Sequence, residues 1–358
     1  MSIPPLTDLD PARFDTPSIL RGLAGASRQL AELKGVSASI PHAGILINAL
    51  GMQEAKDSSA IENIVTTHDE LFREGAFPEE AGSASAKEVL RYRQALKVGF
   101  DAVNATGLLT INYILEIQKE LERNDAGFRK VPGTVLKDNA GRTVYTPPEP
   151  DVIPGLMSKL ESFINAPSTA ELDPLIRMAL IHHQFESIHP FYDGNGRTGR
   201  IINVLYLLTQ QLLDIPVLYM SRHIVRTKSD YYRLLQAVRE RGTWEEWVTY
   251  MLSAVEASAR DGIAMVLGIK RVLLETKHRI RGEHRKIYSQ DLINSLFTHP
   301  YTKIQFIERD LDVSRITATK YLNALAESGI LVKRKVGRGY YYINEPLTAI
   351  LTAEYLSS

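Results

Sequence analysis

The chain has 358 residues, and its 42 Lys and Arg balance 42 Asp and Glu, so the formal charge is zero. That balance excludes a uniformly basic nucleic-acid coat and an acidic tail protein, but leaves room for a local basic patch. A 44% hydrophobic and 23% charged content is that of a folded protein, and the absence of cysteine excludes disulfides, Cys-ligated zinc, iron–sulfur clusters and thiol nucleophiles.

Residues 1–40 carry several prolines and short apolar runs without a clear period. From Pro41 the reading turns helical, with Ile45, Leu46, Ala49, Leu50 and Met52 mostly on one face. Further helices are predicted over 58–74, 86–103 and 110–121. Residues 134–136 and 143–145 are β-prone and flank a turn at 138–141, which predicts a small hairpin. Pro147, Pro148 and Pro150 mark an extended linker. Asp173 and Pro174 open a helix that lasts to Ile188. Another runs from about Arg197 to Leu213, and the helical pattern continues over 229–241 and 245–257.

Near Gly262 the composition shifts, and seven Lys/Arg meet two Glu between Lys270 and Lys286. The tail has its own order: short helices over 289–297 and 303–311, a third capped by Ser314 and closed by Gly329, then β-prone runs at 330–336 and 340–343 around a turn at 337–339. That is the order of a winged helix-turn-helix. The length agrees with two or three domains. No basic and apolar leader opens the chain, and residues 201–213, broken by Asn203, Gln210 and Gln211, are too short to cross a bilayer. A cytoplasmic protein without a membrane partner is expected.

The chemistry concentrates in His189-Pro-Phe-Tyr-Asp-Gly-Asn-Gly-Arg-Thr-Gly-Arg200. Gly194-x-Gly196-x-x-Gly199 matches a dinucleotide fingerprint, but a helix precedes it where that fingerprint needs a strand. A P-loop fails too, because no Gly-Lys-Ser/Thr follows. A phosphate site remains. The residue before Pro190 leaves the helical region, so the helix stops at His189. Gly194 and Gly196 let backbone N–H groups converge on an anion. The next helix opens with Arg197 and Arg200 and points its positive end at the same loop. Asp193 offers a hard oxygen to Mg²⁺ on phosphates. His189, with an ordinary pKa near ~6.5, is poised to take a proton.

The same twelve residues resemble the signature of Fic-domain proteins, HxFx(D/E)GNGRxxR, at every position. The resemblance implies a mainly α fold: a Fic (Fido) helical core with a small β-hairpin flap, an N-terminal helical region and a C-terminal winged helix-turn-helix. It implies transfer of AMP from ATP to a hydroxyl of a target protein, the chain itself included. On that resemblance His189 is the general base, Phe191 anchors the loop and Asp193 holds Mg²⁺. Gly194, Asn195 and Gly196 cradle the phosphates, with Thr198 and Gly199 in the same turn. Arg197 and Arg200 bind the phosphate tail, Arg200 at its γ end. The hairpin falls where the family has a flap that pins the target by strand addition. Tyr231 falls where such proteins often contact the nucleoside, although paired tyrosines on a helix are more often core.

Upstream, Ser58-Ser-Ala-Ile-Glu62-Asn63 matches the family's inhibitory pattern, (S/T)xxxE(G/N). The resemblance implies that Glu62 pairs with Arg200 and takes the arginine meant for the γ-phosphate. Ser59-x-x-Glu62 reads equally as a capping box. His182, His183, Glu186 and His189 invite a metal-hydrolase reading, without HExxH; core histidines account for 182 and 183. Arg315, Thr317, Thr319 and Lys320 on the third tail helix, with Lys333, Arg334, Lys335 and Arg338 on the wing, suit DNA or a protein partner alike. The expected division is 1–105, an N-terminal helical region; 106–258, the catalytic core; 259–286, a basic helical linker; and 287–358, the winged helix. AMP removal, a nucleotide-sensing DNA regulator and a homodimer stay open.

Overall fold

The computed structural model describes residues 3–76, 83–137, 140–167, 172–336 and 339–352. Its helices are α1 (Pro17–Ser37), α2 (Ala43–Ile61), α3 (His68–Ala76), α4 (Ala84–Thr106), α5 (Ile111–Glu122), α6 (Ile153–Ile164), α7 (Pro174–Ile188), α8 (Asn195–Thr209), α9 (Ser221–Arg226), α10 (Lys228–Arg241) and α11 (Trp244–Glu283). A C-terminal group follows: α12 (Gln290–Thr298), α13 (Ile304–Leu311), α14 (Arg315–Glu327) and α15 (Glu345–Thr352). Between α5 and α6, β1 (Leu136–Lys137) and β2 (Thr143–Tyr145) pair antiparallel, with Leu136 opposite Tyr145. The C-terminal group adds β3 (Tyr301–Thr302), β4 (Val332–Val336) and β5 (Gly339–Ile343), in the spatial order β3-β5-β4.

Capping chemistry sets many of the boundaries. Thr16, Ser83, Thr110, Asp173, Ser289 and Ser314 each accept a first-turn backbone N–H through a side-chain oxygen. At the centre lie α7 and α8. Every residue of α7 from Leu175 to Ile188 is buried, and α8 is buried along most of its length. Both carry apolar residues on all sides, as a helix surrounded by others must. Around them, α1 packs along α11, α4 lies against α5 and α8, and α2 lies against α4 and α9.

Several boundaries differ from the expected ones. Residues 17–37, which show no clear period, form α1; its Ile19, Ala26, Leu30 and Leu33 are buried. The two helices expected over 41–52 and 58–74 are divided elsewhere: α2 runs unbroken to Ile61 and α3 begins at His68. The stop is a Schellman turn. Asn63 takes φ 66°, its N–H donates to the Ala60 carbonyl at 3.1 Å, and the Ile64 N–H donates to Ser59 at 3.0 Å. Ser59 and Glu62 therefore sit at a helix C-terminus, and the capping-box alternative fails. The helix expected to end at 257 continues as the 40-residue α11, about 60 Å long, so position 258 lies inside a continuous helix. In the tail, β3 and α15 add to the expected order. The turn residues 138–139 and 337–338, Arg338 among them, lie outside the described residues.

The C-terminal group touches the N-terminal helices directly. The Tyr301 hydroxyl donates to Asp69 of α3 at 2.8 Å, and the Gln53 amide of α2 donates to the Leu351 carbonyl. Among the described residues no helix is long and apolar enough to cross a membrane.

Candidate active site

The site is the turn between α7 and α8. His189 closes α7 with left-handed backbone, φ 49°, rather than the extended backbone expected before proline. Its N–H still donates to the Phe185 carbonyl at 2.9 Å, so the turn satisfies a helix-end group that an extended residue would leave exposed. The Asn195 side chain ties the loop to itself, accepting from the Phe191 N–H and donating to the Phe191 carbonyl, each at 2.9 Å. Phe191 is fully buried against Phe128 and Phe185. Arg129 holds the loop from outside. Its Nε donates to the His189 carbonyl and its backbone N–H to the Pro190 carbonyl, both at 2.9 Å, while its guanidinium reaches the Pro148 carbonyl.

Gly194, at φ 73°, turns the chain into α8, whose first-turn N–H groups have no intrahelical acceptor and carry the positive end of the dipole. An acidic side chain already lies there. A Cβ built on Gly196 would stand 2.3 Å from Glu62 Oε1, so only glycine admits that carboxylate against the turn. Beside it, Arg200 is 2% exposed. Its Nε donates to Ser58 Oγ at 2.8 Å, and its Nη2 to the Ser58 carbonyl at 2.9 Å and to Glu62 Oε1 at 3.0 Å. Burial works against the Arg200 charge, but Glu62 and nearby phenols outweigh it and hold the guanidinium above its ordinary pKa. Glu62 caps the negative end of α2, an unfavourable place for a carboxylate without a cation.

The other expected residues divide between site and scaffold. Arg197 is 2% exposed and gives its fork to two carboxylates, Glu88 at 2.6 Å and Glu122 at 2.9 Å. Thr198 is fully buried and contributes a backbone N–H to the Gly194 carbonyl. Gly199 leaves space for Glu186, whose Oε1 lies 3.1 Å from where a Cβ would be. Asp193 has a largely exposed side chain, with Oδ1 accepting from the Gly194 N–H at 2.7 Å. Tyr231 is 1% exposed and pairs with His182 at 2.8 Å. Its neighbour Tyr232 is 46% exposed and close enough to Glu62, Arg200 and Glu186 to feel their charges.

His182 and His183 are core residues. The His182 nitrogens meet Tyr231 and Asn203, and the His183 ring packs on Trp244 and Trp247. Burial pulls both to a pKa of about 3. His189 is lowered to about 4 by burial first, then by Arg239 and Arg129, while the Glu186 carbonyl and Glu62 pull the other way. It is therefore a neutral imidazole at pH 7, the form a base needs. Glu186 is buried and pushed up to about 7, with Arg200 opposing the shift and Glu62 adding to it. The roles of Arg129, Arg239, Glu88, Glu122 and Tyr232 around the loop have no signal in the sequence beyond the Tyr231–Tyr232 pair.

A helix N-terminus that already holds a carboxylate, with Arg200 and a neutral histidine beside it, is the arrangement of a phosphate-handling protein. Three family models match the chain: Fic/DOC family N-terminal over residues 20–101, Fic/DOC family over 108–207, and the protein adenylyltransferase SoFic-like C-terminal domain over 272–347. The chain belongs to the Fic/DOC family. Protein adenylyltransferase fic-1 of Caenorhabditis briggsae is 30% identical over 144 residues, 40% of this chain and 27% of that protein. Protein adenylyltransferase Fic of Culex quinquefasciatus is 30% identical over 178 residues, 47% of this chain and 32% of that protein. The match thus spans about a third or less of these relatives' length. A Fic family protein from Desulfovibrio desulfuricans G20 superposes with a TM-score of 0.58 at 20% identity, covering 92% of this chain and 96% of that one. Fic-1 of Caenorhabditis elegans gives 0.53 at 23% identity, covering 71% and 74%. The mainly helical fold, with its small antiparallel sheets, is thus the Fic fold.

Proposed function

We propose that the chain is a protein adenylyltransferase, moving AMP from ATP to a protein hydroxyl, and that α2 restrains it. The observation that carries this reading is the Glu62 carboxylate, lying against Gly196 at the start of α8 and bonded to Arg200 at 3.0 Å. An acidic side chain sits where a phosphate oxygen would be bound.

The mechanism follows from the geometry. The loop amides and Arg200 hold the triphosphate tail, with Arg200 at the γ-phosphate once Glu62 withdraws. His189 takes the proton from the acceptor hydroxyl, the oxygen attacks the α-phosphorus, and pyrophosphate leaves from the opposite side. The exposed Asp193 carboxylate fits Mg²⁺, which binds through one or two carboxylates plus substrate phosphates. When bound, that ion neutralises charge on the phosphates. Arg197, engaged by Glu88 and Glu122, supports the loop and its charge reaches the phosphates through space. Tyr232 is better placed than the buried Tyr231 to meet the nucleoside. Val144 in β2 and Val131 and Val135 ahead of β1 are exposed and suit an extended target segment laid along the hairpin.

Incubation with α-labelled and γ-labelled ATP tests the reading. Label fixed to protein from the α position alone supports it, and γ label fixed to protein means a kinase. His189→Ala should abolish transfer and keep ATP binding.

The C-terminal group supports a winged-helix reading through its order of elements and three-stranded sheet. Its partner is read as nucleic acid or protein through α14, where Ile316 is 82% exposed. Lys333 is already bonded to Asn323 at 2.8 Å and sits over Tyr340. Duplex binding at low salt, absent or present, decides between the two. The boundaries 1–105, 106–258, 259–286 and 287–358 stand as proposed functional regions.

A further inference from the structure

One side chain, Arg239, touches both the flap and the end of the helix that carries His189. Arg239, near the end of α10, lies with its guanidinium carbon 3.9 Å from the ring centre of Tyr145 on β2. From that position Nε donates to Ser187 Oγ at 3.1 Å and Nη2 to the Glu186 carbonyl at 3.0 Å. The Tyr145 hydroxyl donates to the Ser187 carbonyl at 2.9 Å. Glu186 and Ser187 lie in the last turn of α7, and His189 follows at once. That turn has carbonyls without intrahelical donors and a negative dipole end, so a cation is the group it favours.

We propose that Arg239 is a positioning residue that locks strand β2 of the flap onto the turn carrying His189, and so fixes the acceptor segment's height above the imidazole. This rests on the adenylyltransferase reading of the site. A hairpin with two short strands cannot hold its own position. The guanidinium supplies three things together: a face for the Tyr145 ring, two donors for the helix end, and a positive charge beside the base. Lysine supplies only the charge. The same helix carries Tyr231 and Tyr232 at its other end, so α10 sets the spacing between the nucleoside side and the acceptor side.

Charge and geometry can be separated. The charged groups around His189 are Arg239 from α10, Arg129 from the loop after α5 and Glu62 from α2, while Glu186 of α7 contributes its backbone carbonyl. Removing Arg239 leaves Arg129 as the remaining cation and should let the imidazole pKa climb by about 1.

The test uses the full chain. The ring Cε1–H signal of His189, assigned with His189→Gln, is titrated by NMR in wild type, Arg239→Met, Arg239→Lys and Tyr145→Ala. Hydrogen exchange of the β2 amides is followed in the same proteins. Arg239→Met should raise the His189 pKa by about 1 and speed β2 exchange roughly tenfold. Arg239→Lys should restore the titration and leave β2 fast. Tyr145→Ala should free β2 while the titration stays near wild type. In a Glu62→Gly parent, Arg239→Lys should lower self-adenylylation several-fold. Wild-type titration and wild-type β2 exchange in Arg239→Met would overturn the proposal, as would full rescue of β2 by lysine. A parent with no AMP transfer at all would instead overturn the adenylyltransferase reading, and the NMR and exchange results would still decide the part played by Arg239.

Discussion

On the adenylyltransferase reading, replacing Glu62 by glycine should raise AMP transfer. Glu62 is 34% exposed and Arg200 is 2% exposed, with 3.0 Å between Oε1 and Nη2. A charge-assisted hydrogen bond of that kind is worth about 1.5–3 kcal/mol, discounted toward the lower figure for an acid with a third of its surface in water. A γ-phosphate that must displace the carboxylate pays that amount, so its removal should raise AMP transfer at sub-saturating ATP by roughly 10-fold. The fold should lose only part of its stability. Arg200 loses its counter-ion, at about 1.5 kcal/mol, while at the C-terminus of α2 a carboxylate opposes the dipole and glycine is well tolerated, so unfolding free energy should fall by roughly 1–2 kcal/mol. The assay is α-labelled ATP incorporation across a range of ATP concentrations, with urea unfolding alongside. An unchanged or lower rate in a protein that urea unfolding shows to be folded would refute the inhibitory role.

Two further predictions concern buried charge. Arg197→Met should destabilise the fold by about 1–3 kcal/mol, because Glu122, 13% exposed, loses its cation, while Glu88, 31% exposed, keeps part of its water; an activity loss in urea-resistant protein would instead place Arg197 in phosphate binding alone. Burial holds His183 at a pKa of about 3, so its contribution is fully present above pH 6.5 and declines as pH falls toward 3. Between pH 7 and 5 the unfolded imidazole takes a proton that the folded one refuses, a loss of about 2 kcal/mol. His183→Gln should shrink the fall in urea stability between those pH values by about that amount, and an unchanged slope would mean that the ring is protonated when folded.

The turn from His189 to Arg200 was legible because its bonds are local. Asn195 closes on Phe191 four residues away, and Gly194 declares the left-handed backbone it takes. What surrounds the turn was not legible, for a matching reason. Arg197 finds Glu88 and Glu122 at 109 and 75 residues' distance, and such pairings leave no period in a sequence. The helix α1 was hidden by Gly22, Gly25 and Gly35, which blur its apolar stripe. That stripe meets α11 more than 200 residues later, and Gly22 lies against Leu252. Its start was nonetheless written in Thr16 and Pro17. The end of α2 is hard to read because Ser59 and Glu62 mimic a helix start, while the stop rests on Asn63, a residue that tolerates φ above zero.

At the C-terminal turn of α2, Ser58 does more than accompany Glu62. Of the three bonds Arg200 makes to α2, Glu62 supplies one and Ser58 two, through its hydroxyl at 2.8 Å and its carbonyl at 2.9 Å. The hydroxyl and carbonyl do not compete for the place of a phosphate; they fix the plane of the guanidinium. Withdrawing Glu62 thus frees one donor on a fork that stays aimed. In the Glu62→Gly background, Ser58→Ala strips the partner from a buried Nε, at about 1–3 kcal/mol, and lets the fork rotate. If Ser58 belonged to the inhibitory contact alone, the double variant would match or exceed Glu62→Gly. If it aims Arg200, the KM for ATP should rise several-fold over that parent while the single variant Ser58→Ala stays inhibited by Glu62. Steady-state transfer at varied ATP separates the two, and a double variant as active as Glu62→Gly at every ATP concentration would confine Ser58 to restraint.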